Sequence, residues 1–189
     1  TAQITEGLVY WGGRGFIQSN PLERYFEQNP PRPPFVPEHT ANWLGYGASW
    51  AIEDGRLYLL EMEGSICTRE PDGSERHSSW CSVGHRGECE LRAVTHSDLF
   101  DTSGPVPATW FSGELRVPLG DHVQYVHLGY ATRYERYLLI SVESGTVSGS
   151  RELTNEEDLA EIRARNAEIA RRHNSRKRWW QFWRKAGDR

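Results

Sequence analysis

Five side chains in the middle of the chain carry the chemistry of a metal or thiol centre. His77, Cys81, His85 and Cys89 recur at intervals of four, with Cys67 upstream. Imidazole and thiolate make a good zinc set, and on a helix the four would line one stripe. The local sequence opposes such a helix, because Ser78-Ser79, Gly84 and Gly87 are poor helix formers. The spacing also lacks the close ligand pairs of zinc fingers. A loop with buried or incidental cysteines is the plainer expectation, and no metal or other cofactor is assigned. A Cys81–His85 nucleophile pair would need an orienting third group and an oxyanion site, to which nothing in the sequence points. Three cysteines are an odd count, so reduced thiols in a cytoplasmic protein are expected.

A second constellation is His122, His127 and Glu135, close to Tyr130 and Tyr134. Facing one pocket, they would form an acid/base set for a small hydrolase. The simpler expectation is ordinary strand polar residues, so no catalytic residue is assigned. Gly12-Gly13-Arg14-Gly15 offers N–H groups to an anion, but lacks the Lys-Ser/Thr of a phosphate loop and the helix that follows a dinucleotide loop. It reads as a turn. Both lysines, Lys177 and Lys185, lie near the C-terminus, so the rest of the chain has no Schiff-base or P-loop lysine.

The C-terminal segment is the most unusual. Arg176, Lys177 and Arg178 precede Trp179, Trp180, Phe182 and Trp183, and Arg184 and Lys185 follow. In a continuing helix, Trp179, Phe182 and Trp183 share a face while Trp180 sits about 100° away. Tryptophan favours the headgroup level of a bilayer, and each Lys or Arg near an anionic surface adds about 1 kcal/mol. These nine residues are the candidate contacts to a membrane surface or a protein partner. The alternative is that the rings fold back onto the core. Single-stranded nucleic acid is disfavoured, since so few positions make a very small footprint.

Charge distribution supports the same division. The 189 residues sum to a near-neutral −4. Residues 171–189 hold eight basic groups and one acid, a charge of +7, which leaves −11 on residues 1–170. An acidic body repels phosphate backbones, so nucleic-acid recognition by the main domain is disfavoured. No uninterrupted apolar run is long enough to span a bilayer. The N-terminal residues show neither a basic region nor an apolar stretch of the kind found in a secretion signal.

The elements that must position these residues are mostly strands. Leu8-Val9-Tyr10-Trp11, a glycine turn and Gly15-Phe16-Ile17 predict a hairpin. Asn20-Pro21 predicts the capped start of a helical turn through Phe26. Five prolines in residues 29–37 predict a rigid surface strap anchored by burial of Phe35 and Val36. Residues 43–63 predict a hairpin about Asp54-Gly55, with Gly45 and Gly47 either lying under aromatic rings or marking a bulge. Residues 64–90 read as one or two short strands and a long loop. Later strands are expected at 91–94, at 109–117, after a turn at Pro118-Leu119-Gly120-Asp121, at 134–142 as a central strand, and at 146–147. Thr154 and Glu157 fit a capping box for a helix whose apolar stripe is thin.

Several fragments resemble a signature of small uncharacterised bacterial β-rich proteins. They are Pro21-Leu22-Glu23-Arg24-Tyr25-Phe26, Asn42 to Trp50 with Ile52 to Leu59, Ala108 to Arg116, and Val126-His127-Leu128-Gly129-Tyr130. The resemblance spans most of 1–150 and implies a bacterial source and a compact β-rich domain. It brings no activity and no functional residue.

The expected fold is α+β and β-dominated, a single mostly antiparallel meandering sheet or partly closed barrel with a C-terminal helix. The expected units are an acidic domain at 1–153, an amphipathic helix at 154–173 and a basic tryptophan-rich tail at 174–189. The expected function is non-catalytic protein binding of an immunity or adaptor kind. The alternatives are a small hydrolase with a histidine/glutamate or zinc site, and a peripheral membrane accessory protein at the inner face of the membrane.

Overall fold

The computed structural model describes residues 1–37, 39–69 and 90–186, with residues 69, 90 and 174–186 described by backbone alone. Nine strands and three helices follow one another among these residues. They are β1 (Glu6–Tyr10), β2 (Gly13–Ile17), α1 (Pro21–Gln28), β3 (Tyr46–Glu53), β4 (Arg56–Arg69), β5 (Glu90–Thr95), α2 (His96–Phe100), β6 (Val106–Pro107), β7 (Gly113–Gln124), β8 (Arg133–Glu143), β9 (Thr146–Thr154) and α3 (Asn155–Ala186). The fold is β-dominated, with one mixed, mostly antiparallel, unclosed sheet and a C-terminal helix. Its strand order is β2-β1-β3-β4-β9-β8-β7, with β5 and β6 pairing β4 off that path.

Local turn chemistry builds the hairpins. Trp11-Gly12, Asp54-Gly55 and Ser144-Gly145 all have both residues at positive φ, the two-residue turn that matches strand twist. The segment Pro118 to Asp121, expected as a turn, instead lies inside the continuous strand β7. The pairing of β7 with β8 slips between Leu119 and His122, and Gly120 at φ 74 takes up the irregularity. The bend is a bulge and not a chain reversal, because β8 supplies partners on both sides of it.

β1 and β3 run parallel, with Gly7 to Tyr10 beside Ser49 to Ile52. The intervening hairpin, α1 and proline strap return the chain to the same end before β3 begins. Asn20 does not cap α1 with its side chain. Its Oδ1 instead accepts a hydrogen bond from Tyr130 Oη at 2.9 Å. The strap behaves as its prolines predict: Phe35 and Val36 are buried, and Phe35 bridges to Ile66 of β4. Its ring lies against bare backbone, since a Cβ at Gly45 would sit 2.8 Å from Phe35 Cβ and one at Gly64 2.9 Å from its ring. The neighbouring strand irregularity falls later, between Ser49 and Trp50.

One core gathers Leu8, Ile17, Leu22, Phe26, Trp50, Leu57, Leu59, Met62, Leu115, Val117 and Ile140 from strands and α1. The chain divides into two compact units, Thr1–Glu152 and Leu153–Arg189. In the second unit, Glu157 Oε2 accepts from Thr154 N at 2.8 Å, and Thr154 Oγ1 accepts from Glu157 N at 3.3 Å. This is the capping box expected from the sequence. Thr154 N and, at 2.9 Å, Thr154 Oγ1 both donate to the Glu157 carboxylate and hold it below the usual carboxylate range. The backbone then runs as one helix to Ala186, through the basic and aromatic segment.

Candidate functional site

A cleft of about 330 Å³ opens between the N-terminal segment and the loop joining β7 to β8. The segment forms one wall because it is stitched down along its backbone. Gln3 N donates to Gly129 O at 2.9 Å, Gly129 N to Thr1 O at 3.0 Å, and Ile4 N to Ala41 O at 2.8 Å. The opposite wall carries Phe16 of β2 against Tyr134 of β8, edge to face with centroids 5.6 Å apart. Tyr130 closes one end, and burial pushes its hydroxyl up to about 12, with the charge of Glu6 adding to the effect.

The three residues of the proposed acid/base set are separated. His122 lines the cleft and stands in register with Tyr134. His127 lies outside the lining and shares a 2.9 Å hydrogen bond, through Nδ1, with Tyr125 Oη, which does line it. Glu135 follows Tyr134 on β8, so its side chain leaves by the other face. There it packs against Gly120, and its Oε2 accepts from Asp121 N at 3.3 Å. The bulge in β7 thus gives Glu135 a structural task away from the imidazoles. Gly12 to Gly15 form only the β1–β2 turn and the start of β2.

His77, Cys81, His85 and Cys89 lie outside the described residues. Cys67 does not: it is buried on β4 and disulfide-bonded. The expectation of reduced thiols is therefore corrected at this position. An odd count of cysteines excludes only complete pairing. Among the described residues, no group of three or more His, Cys, Asp or Glu is placed to hold a metal ion. No described helix is long and apolar enough to cross a membrane. Arg176, Lys177, Arg178, Trp179, Trp180, Phe182, Trp183, Arg184 and Lys185 lie on the helical backbone, and their side chains are outside the described residues.

The sequence reading missed the rim of the cleft. Ile4, Tyr125 and Leu128 are 57%, 62% and 61% exposed, and Trp43 is 55% exposed. Trp43 stands beside the N-terminal wall, its backbone N–H donating to Gln3 Oε1 at 2.7 Å. These residues come from three parts of the chain more than 35 positions apart, so no local pattern announces them. Large side chains grouped around a concave neutral surface suit recognition of an apolar group on a partner. Comparison of the chain with protein-family models, with curated proteins and with solved structures finds no match.

Proposed function

We propose that this chain is a non-catalytic protein-binding module, immunity- or adaptor-like, that docks its partner on the rim of the cleft. The observation that carries this reading is the exposure of Ile4 and Tyr125 in the cleft lining, together with exposed Leu128 beside the lining residue Gly129 and exposed Trp43 bonded to the lining residue Gln3. Aromatic side chains of this kind are frequent binding hot spots. The −11 charge on residues 1–170 favours a basic partner and steers its approach. A hydrolase reading has less support, because Glu135 leaves on the face opposite His122. The disulfide at Cys67 favours an oxidising compartment over the cytoplasm expected from the cysteine count.

The test is capture from the source cell on immobilised full-length protein, on a form ending at Asn174, and on a Tyr125→Ala/Leu128→Ala double variant. The first two forms retain the same stoichiometric partner. The double variant loses most of it, since a pair of central hot-spot truncations costs about 2 kcal/mol or more. Undiminished capture by the double variant would remove the cleft rim from the function.

A second role belongs to the tail, supported by the unbroken run of α3 to Ala186. On that backbone, residues 179, 182 and 183 recur at helical spacing among cations, the pattern of an interfacial anchor. Full-length protein is expected to float with anionic liposomes, and the form ending at Asn174 to stay at the bottom of the gradient. Equal flotation of both forms would end the anchor reading.

A further inference from the structure

Glu6 is a carboxyl group buried among the described residues. It sits at the start of β1, 5% exposed, directly after the cleft-wall residues Ile4 and Thr5. One oxygen, Oε2, accepts from Trp50 Nε1 at 2.6 Å, while Oε1 is buried without a hydrogen-bond partner. A carboxylate in that position would be an uncompensated interior charge, which is strongly disfavoured. Among the described residues, no counter-ion is paired with it. β3 contributes the neutral groups Trp50 and Tyr46, α1 contributes the like charge of Glu23, and the loop before β8 contributes the hydroxyl of Tyr130. Arg32, stacked over the Tyr46 ring at 5.7 Å, is already engaged by Glu23 at 3.0 Å and by Leu44 O at 2.7 Å.

We propose that Glu6 is a proton-operated latch on the N-terminal segment: protonated, it seats the cleft wall of residues 1–5 on the core, and ionised it loosens that wall while Gly7 to Tyr10 of β1 stay paired with β2 and β3. Hydrogen bonds at Gln3, Ile4 and Gly129 hold residues 1–4, and the bond from Trp50 to Glu6 fastens the inner end of this segment. From Gly7 onward the chain is fixed independently, paired with β2 and β3 and with Leu8 buried in the core. Loss of the proton leaves a charge in the interior, which is relieved when the Glu6 carboxylate turns toward water and the wall residues before it loosen. The cleft would thereby be closed in acid and neutral conditions and loosened in alkali.

Burial raises the Glu6 carboxyl from 4.5 to about 8, the Trp50 hydrogen bond opposing this and Glu23 adding to it. The closed state therefore keeps its proton through a window in which the open state has lost it. Closure is fully favoured below pH 4.5, weakens as pH rises toward about 8, and is constant above that. Within the window the opening constant rises by up to about tenfold per pH unit.

The experiment is NMR on the full chain. The Trp50 indole N–H signal is expected to titrate with a midpoint near 8. Exchange of the Gln3 and Ile4 amides, corrected for intrinsic rate, accelerates up to the same midpoint. Glu6→Gln, which keeps an acceptor for Trp50, abolishes both responses, and His122→Gln leaves both in place. Protection in Glu6→Gln that still falls with pH as in the parent overturns the proposal. If Glu6→Gln does not fold, the ¹³C carboxyl titration of Glu6 in the parent decides. A midpoint in the ordinary carboxylate range, about 4 to 5, overturns the latch.

Discussion

Gly145→Ala is expected to destabilise the protein by about 3 kcal/mol, and Gly55→Ala by only about 1 kcal/mol. Both glycines occupy the second position of a tight hairpin turn, at φ 77 and φ 72, so the left-handed penalty for alanine is shared. They differ in what lies above them. A Cβ on Gly55 meets nothing within 4 Å, whereas one on Gly145 would stand 2.8 Å from Ala108 O and 3.0 Å from Thr109 N. Those atoms cannot withdraw cheaply. Gly145 N donates to Phe111 O at 2.9 Å and Gly145 O accepts from Leu57 N at 2.8 Å, which ties the turn to β4 and to the segment before β7. Urea unfolding of the two variants measures the difference directly. Equal losses would show that the turn, and not the close approach, sets the requirement for glycine.

Arg32→Lys is expected to cost about 2 kcal/mol although the charge is conserved. The guanidinium does three things that an ammonium cannot do together. Its Nε and Nη2 both reach the Glu23 carboxylate, Nη2 donates to Leu44 O, and its plane lies 5.2 to 5.7 Å from the rings of Phe26, Phe35 and Tyr46. The pair is about one-third exposed, so solvent screens part of the ionic contribution. The stacking and the carbonyl bond are less affected, and they join α1, the strap and β3 at one point. Thermal unfolding of Arg32→Lys, alone and with Glu23→Gln, apportions the effect. Parent-like stability in Arg32→Lys would reduce Arg32 to a surface charge.

Features with a local physical cause were legible in the sequence. Asp54-Gly55 and Ser144-Gly145 specify turns through their own backbone preferences, and Thr154 with Glu157 specifies a cap within one helical turn. The proline strap was legible for the same reason, down to its two anchors. Features that depend on distant partners were not. Pro118 to Asp121 has turn composition, but the neighbouring strand keeps it extended. The parallel pairing of β1 with β3 depends on where the strap delivers the chain, which no periodicity encodes. The candidate site is of this second kind. Its wall exists because residues 1–4 meet Gly129 and Ala41, and Glu6 gave no signal because a single polar residue before an apolar strand is commonplace. His122 lines the cleft, while Glu135, one residue after Tyr134 on β8, leaves by the other face, a consequence of strand alternation that proximity along the chain does not convey.

The 32 residues of α3 have one more consequence. At 1.5 Å per residue they make a strut about 48 Å long. Its two ends stand at a set separation, unlike those of a flexible linker, which sample all shorter spans. Lengthening the strut by two residues would turn its last face through about 200° while extending it by only about 3 Å.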